Sequence, residues 1–226
     1  MSREHGEIVV VGAGEQAEIA YEYFTRDSPH TVAGFAVEGA YLDKSELNGL
    51  PVVALEEVES HFPPERNPAF VAISSTKLNR IRTRLYEEVK GRGYSFATYV
   101  SSKAFVWHNV EIGENSMIFE NNVLQHRVKV GANAVLWSGN HVGHQTQIED
   151  HCFISSHVVI SGFCRVGRSS FMGVNSCVGD YLTIGEDCVV GAGAVVVKNL
   201  EGGKVYVGNP AKPLDRTSYE SFDVDQ

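Results

Sequence analysis

Basic residues are in short supply in this chain: 19 Lys and Arg stand against 28 Asp and Glu, for a formal net charge of −9. An acidic balance repels phosphate backbones and anionic headgroups, which argues against nucleic acid or a membrane surface as the main partner. Long apolar runs are missing too. Stretches such as residues 8–11 are far too short to cross a bilayer. The opening Met-Ser-Arg-Glu-His-Gly-Glu lacks the apolar core of a secretory leader, so a cytoplasmic location is expected. Cysteine is sparse, and the four present (Cys152, Cys164, Cys177 and Cys188) are expected as reduced thiols. Apolar residues are not scarce. At 43% hydrophobic and 10% aromatic over 226 residues, the chain can bury one large core or two small ones and is not disordered.

What is present in abundance is a period of six. Stepping from Val106 to Val196 in sixes meets sixteen residues, and all are Val, Ile, Leu or Met. Glycine follows eight of them, as at Gly113, Gly131, Gly143 and Gly167. Two places before them sit small or apolar residues such as Ala104, Ser116, Ala134, Cys152, Cys164, Cys188 and Ala194. Six residues advance an α-helix by about 600°, so a helix would scatter these aliphatics around its axis. A long strand has no need of glycine at every sixth place. A three-sided β-solenoid accounts for all of it: each hexad is a short strand and a bend, the aliphatic points to the axis, the small residue fills the corner, and glycine relieves the turn. Three hexads make an 18-residue coil. Cys152, Cys164 and Cys188 then fall in inward slots as packed core thiols, while Cys177 faces out.

Residues 1–99 obey a different grammar. Strands are predicted over 7–11, 31–37, 52–53, 68–74 and 95–100, with helices over 15–25 and 77–91. This alternation predicts a small parallel α/β domain, a Rossmann-like half domain, with a candidate phosphate-binding turn at Gly12-Ala13-Gly14 between a strand and a helix. Backbone N–H groups from Gly14 through Glu15 and Gln16 are candidates to hold a diphosphate, Glu38 to accept from a ribose or sugar hydroxyl, and Ser74 and Ser75 to line the same sheet edge. The solenoid occupies 100–212, and 213–226 read as an acidic tail.

The stretch from Ser138 to Ile148 interrupts the repeat with polar residues. His144 falls at a bend, with His126 and His108 one and two coils before it and Gly162 one coil after. A histidine at an exposed bend suits proton transfer near neutral pH.

The hexapeptide stretch resembles the left-handed parallel β-helix acyltransferases. Together with the α/β domain it resembles the sugar acyltransferase family of bacillosamine and perosamine N-acetyltransferases and sialic acid O-acetyltransferases. The resemblance implies an α/β half domain followed by an all-β left-handed β-helix. It implies a homotrimer with acetyl-CoA between subunits, a nucleotide sugar held by the first domain, and no metal. It implies His144 as general base and the Gly162 N–H as oxyanion donor. Gln145 stands where relatives carry Glu, so orientation of the imidazole passes to Gln145, Glu149, Asp150 or a carbonyl, with Asn140 and His126 as further supports and His141 as a sugar contact. Phe153 stands where many relatives have a second histidine. Phe153, His157, Gly162, Gly191, Ala192, Gly193 and Lys212 are the candidates to line the coenzyme. Two other readings compete: a zinc hydrolyase resembling γ-class carbonic anhydrases, using His108 and His144, and a non-catalytic trimeric sugar-nucleotide scaffold.

Overall fold

The computed structural model describes residues 6–225, so the first five residues of the leader reading lie outside it. In the α/β domain, β1 (Glu7–Val11) is followed by α1 (Glu15–Asp27), β2 (Thr31–Val37), β3 (Glu46–Leu47), β4 (Leu50–Ala54), α2 (Val58–His61), β5 (Ala69–Val71) and α3 (Arg80–Gly91). The sheet order is β3-β4-β2-β1-β5, parallel except for the β3–β4 hairpin. Burial on both faces is what lets β1 read as an unbroken Ile-Val-Val-Val run, with Ile8 to Val10 wholly inaccessible.

From Tyr99 onward the chain winds into a prism of two-residue strands that pair in parallel with strands 18 residues away. Fourteen of the sixteen periodic aliphatics, Ile118 through Val196, are buried along its axis, and Val106 and Ile112 are half-buried at the open first coil. Three sheets form the sides. One presents the charged and polar Glu111, Lys129, Gln147, Arg165 and Thr183 outward. A second presents the mostly apolar Phe105, Val123, His141, Val159, Cys177 and Val195. The third presents Tyr99, Met117, Val135, Phe153, Phe171 and Val189. Most of that third face is covered by the α/β domain, whose α1 residues Ala17, Ala20 and Phe24 share a core with Met117, Val135 and Phe153.

The structure corrects the part assigned to glycine. From Asn115 to Gly193 every sixth residue has a left-handed backbone, and this position lies three after the aliphatic, not one. The glycines that directly follow the aliphatics serve a close approach. A Cβ on Gly143 would stand 2.6 Å from the Gly162 nitrogen of the next coil, and one on Gly167 would stand 2.5 Å from the Glu186 nitrogen.

Two element boundaries also change. Residues 77–79, expected as helix, are three consecutive left-handed residues with φ of 53°, 49° and 65°, and α3 starts only at Arg80. The exchange lets Leu78 pack against Val189 and Val205 of the solenoid and lets the Asn79 side chain donate to the Ser169 carbonyl at 3.2 Å. The expected loose tail is docked. Lys212–Thr217 pairs antiparallel with Lys204–Val207, Thr217 caps the short helix Ser218–Ser221, and Leu214, Phe222 and Val224 join the Leu78 cluster. Apolar residues spaced among the acids are the reason it does not hang free.

Candidate functional site

His144 projects from the corner between the apolar-faced and the charged sheet, and Gly162 lies beneath its ring. A Cβ on Gly162 would sit 2.7 Å from Cε1 and 3.0 and 3.1 Å from the two nitrogens of the imidazole. The nitrogens are scarcely farther than Cε1, which an edge-on approach would not allow, so the face of the ring covers the glycine. The missing side chain therefore makes room for the imidazole. The backbone of His144 is fixed on both sides, since its N–H donates to Gln125 Oε1 at 3.0 Å and its carbonyl accepts from the Phe163 N–H at 2.9 Å. The Phe163 ring meets the imidazole edge-to-face, with centroids 5.0 Å apart and an interplanar angle of 82°, and stacks on Tyr181 at 4.8 Å and 10°. Both aromatics are exposed, at 40% and 71%.

The Gly162 N–H points to the Asp180 carboxylate at 2.9 Å. A thioester oxygen would have to displace that carboxylate to use this donor. Asp180 is absent from the residues that sequence reasoning singles out, and an acid 18 positions after a candidate donor is the signal that would have found it.

The supports expected around His144 are engaged elsewhere. Glu149 binds Arg165 and the Arg168 N–H. Asn140 is buried and ties the Trp137 carbonyl to the Val158 N–H, a structural clamp between coils. His126 Nδ1 faces the Asn109 amide at 3.1 Å. Asp150 accepts from the Ala132 N–H at 2.8 Å. Gln145 takes the left-handed position of its coil. Among the described residues, no hydrogen bond reaches the His144 ring.

The coenzyme candidates are dispersed over the prism. Gly191, Ala192, Gly193 and His157 lie at the corner between the third and the apolar-faced sheet, with His157 packed over Gly139. Phe153 is buried under the α/β domain, stacked on Phe171 at 5.6 Å and lying under Arg82, so it cannot face a donor as expected. It occupies an outward position of the sheet that the domain covers. Lys212 is exposed at the start of the final strand. His141 is half-buried on the apolar-faced sheet, one strand before His144.

In the α/β domain Gly12 has a φ of 125°, and a Cβ there would strike the Ala72 carbonyl at 2.8 Å, so this glycine serves strand packing. Ala13 packs into the core beside α1. Gly14 is the helix N-cap and has open space where a side chain would be, which leaves the first amides, from Gly14 to Gln16, approachable by an anion. Glu15 and Glu18 already place negative charge in that turn. Glu38 is paired with Arg84 at 2.9 and 3.0 Å. Ser74 shares a hydrogen bond with Thr76, and the Ser75 carbonyl accepts from the Asn79 N–H.

Burial raises the Cys152 and Cys188 thiols to about 12 and raises Cys164 as well, which leaves these three as core thiols. No group of three or more His, Cys, Asp or Glu among the described residues is placed to hold a metal ion. No helix among them is long and apolar enough to cross a membrane.

Comparison with known proteins agrees with this architecture. Residues 127–162 match the model of the bacterial transferase hexapeptide (six repeats). A histidine-to-asparagine variant of perosamine N-acetyltransferase from Caulobacter crescentus, in complex with CoA and GDP-perosamine, is 27% identical; the match covers 93% of this chain and 98% of that one, with a TM-score of 0.84. The acetyltransferase domain of PglB from Neisseria gonorrhoeae, in complex with acetyl coenzyme A, is 25% identical, covering 93% and 100% with a TM-score of 0.81. A UDP-3-O-acylglucosamine N-acyltransferase from Caulobacter sp. is 38% identical over 66 residues, which are 29% of this chain. The match spans about a fifth of that relative's length. The architecture is an α/β half domain followed by a left-handed parallel β-helix.

Proposed function

We propose that this chain, a hexapeptide-repeat protein of the sugar N-acetyltransferase type, transfers an acetyl group from acetyl-CoA to an amino group of a nucleotide-linked sugar. The observation that carries the reading is an exposed imidazole lying over a side-chain-free rung, at an open corner of the prism. His144 takes the proton from the attacking amine as it adds to the thioester carbonyl. The tetrahedral intermediate then collapses with loss of the coenzyme thiolate. The Gly162 N–H serves the oxyanion once Asp180 turns aside. Attack is direct, because burial holds Cys152, Cys164 and Cys188 as thiols, including Cys164, which is packed into the axial core two residues after Gly162. The relatives found with CoA, acetyl coenzyme A and GDP-perosamine support this choice of donor and acceptor class.

Two features favour a homotrimer in which the site is completed between copies. Among the described residues no contact joins the glycine turn of the α/β domain to the His144 corner, since α1 docks on the third sheet. The apolar-faced sheet beside His144 leaves Phe105 and Val159 exposed at 53% and 43%. The amine acceptor is preferred over a hydroxyl because no carboxylate reaches the imidazole, and an amine in its free-base form needs less help.

His144→Ala is expected to lower kcat by about 10²–10⁴-fold in a thiol-release assay with acetyl-CoA and a panel of nucleotide amino sugars. Retention of turnover within a few fold would remove the base assignment.

A further inference from the structure

Something must hold a catalytic imidazole at one angle, and among the described residues no hydrogen bond does so. Gln145, Glu149, Asn140, His126 and Asp150 make no hydrogen bond to the His144 ring, and its backbone contacts leave χ1 and χ2 free to turn. Gly162 and Phe163 do touch the ring. Gly162 lies under its face, and the Phe163 ring stands at 82° to it with centroids 5.0 Å apart. A floor alone allows the imidazole to slide and to swing about the surface normal. An edge-to-face neighbour beside the floor stops the swing, because that geometry pairs the positive edge of one ring with the negative face of the other.

Phe163 is itself held. Tyr181, one coil on, stacks on it at 4.8 Å with planes 10° apart, which fixes the ring from the side away from His144. Both residues occupy the left-handed position of their coils, with φ of 57° and 61°. Bulky aromatics are poor residues for that backbone, where the other two corners carry only Asn, Asp, Ser, His and Gly. Two exposed rings placed against local preference, one of them on the candidate base, point to a role in the site.

We propose that Phe163, braced by Tyr181, is the residue that positions the His144 imidazole for proton abstraction, in place of a hydrogen-bonding carboxylate. Phe163 acts through His144 and is a positioning residue. The inference rests on the reading of His144 as base, so the experiment has one arm that needs no turnover.

That arm uses the full chain labelled with ¹³C and ¹⁵N at histidine, the His144 ring signals being assigned by their loss in His144→Gln. Phe163→Leu keeps an apolar side chain and removes the ring. It is expected to shift the His144 ring resonances, which lose the ring current of Phe163, while Phe163→Tyr leaves them near their wild-type positions. Unchanged His144 signals in Phe163→Leu would overturn the proposal whatever the reaction. The second arm monitors thiol release with acetyl-CoA and GDP-perosamine as the probe acceptor. Phe163→Leu is expected to lose about tenfold in kcat with the KM for acetyl-CoA within about twofold, and Phe163→Tyr to recover most of the loss. Tyr181→Leu, which removes only the brace, is expected to lose less. Recovery of Phe163→Leu at high protein concentration, in step with its oligomeric state by gel filtration, would mean that the ring serves assembly and would overturn the proposal. If wild type does not turn over this acceptor, the acceptor reading fails and the spectroscopic arm still decides on Phe163.

Discussion

The corner that docks the α/β domain and the corner that carries His144 are built on the same 18-residue repeat and filled by opposite rules. At the docked corner the left-handed positions hold Asn115, Asn133, His151, Ser169 and Asp187. These short polar side chains tolerate that backbone, and they are put to use. Asn115 accepts from the Val71 N–H and donates to Asn133, and Asn133 faces His151 Nδ1. His151 offers its carbonyl to the buried Arg82, and Asp187 pairs with Arg80. At the other corner the same positions hold Arg127, Gln145, Phe163 and Tyr181. Each long or aromatic side chain costs roughly 1 kcal/mol there. A repeat fold bears such costs where its neighbours over-determine the backbone, and here they coincide with the candidate site.

The comparison can be broken by moving residues between corners. Asn133→Phe puts an aromatic into the buried ladder, severing the bonds to Asn115 and His151 with no space to receive the ring. It is expected to cost about 3–5 kcal/mol in urea unfolding and to loosen the α/β domain first. A cost under about 1 kcal/mol would show that the ladder does not hold the domains together. The converse change, Phe163→Asn, is expected to stabilise the chain by up to about 1 kcal/mol while lowering turnover, a trade visible as a raised Tm with reduced kcat. A fall in both would mean that the ring is part of the fold's support.

A third test is smaller and uses pH alone. Burial, and then the positive field of Arg168, Arg82 and Arg80, holds His151 down to about 4, so it stays neutral in the fold. Its unfolded form takes up a proton near 6.5. This contribution to stability is therefore complete above pH 6.5 and declines as pH falls towards 4. The decline in Tm over that window is expected to shrink in His151→Asn, a residue also suited to the left-handed position. An unchanged slope would assign the acid sensitivity to carboxylates. Asp27 acts in a lower window: burial acts to raise it, but hydrogen bonds from Ser102, Tyr99 and Ser101 hold it down to about 2, so its contribution is lost only as pH falls from about 3.8 towards 2.

Much of this was legible in the sequence because period and chemistry coincided. The aliphatic at every sixth place is a direct record of the prism axis, and the 18-residue step from His144 to Gly162 places the two side by side. The left-handed position was not legible, since Asn, His, Ser, Asp, Phe and Tyr share no side-chain property that marks it. Glycine misled in the same way, because the residue that avoids a clash between coils looks like one that makes a turn. Residues 77–79 kept a helical apolar pattern while their backbone turned the other way to dock Leu78. Phe153 and the C-terminal segment depended on which sheet the first domain covers, and local pattern carries no record of that.

The identical spacing of the rungs makes the molecule a ruler with a fixed graduation. Its length can change by whole circuits of eighteen residues, each moving the later rungs by about 4.8 Å, but not by a fraction of one. A single inserted residue would turn every later side chain to the wrong side of the wall, whereas a complete extra circuit placed after Tyr181 would leave His144, Gly162 and Phe163 in their present relation.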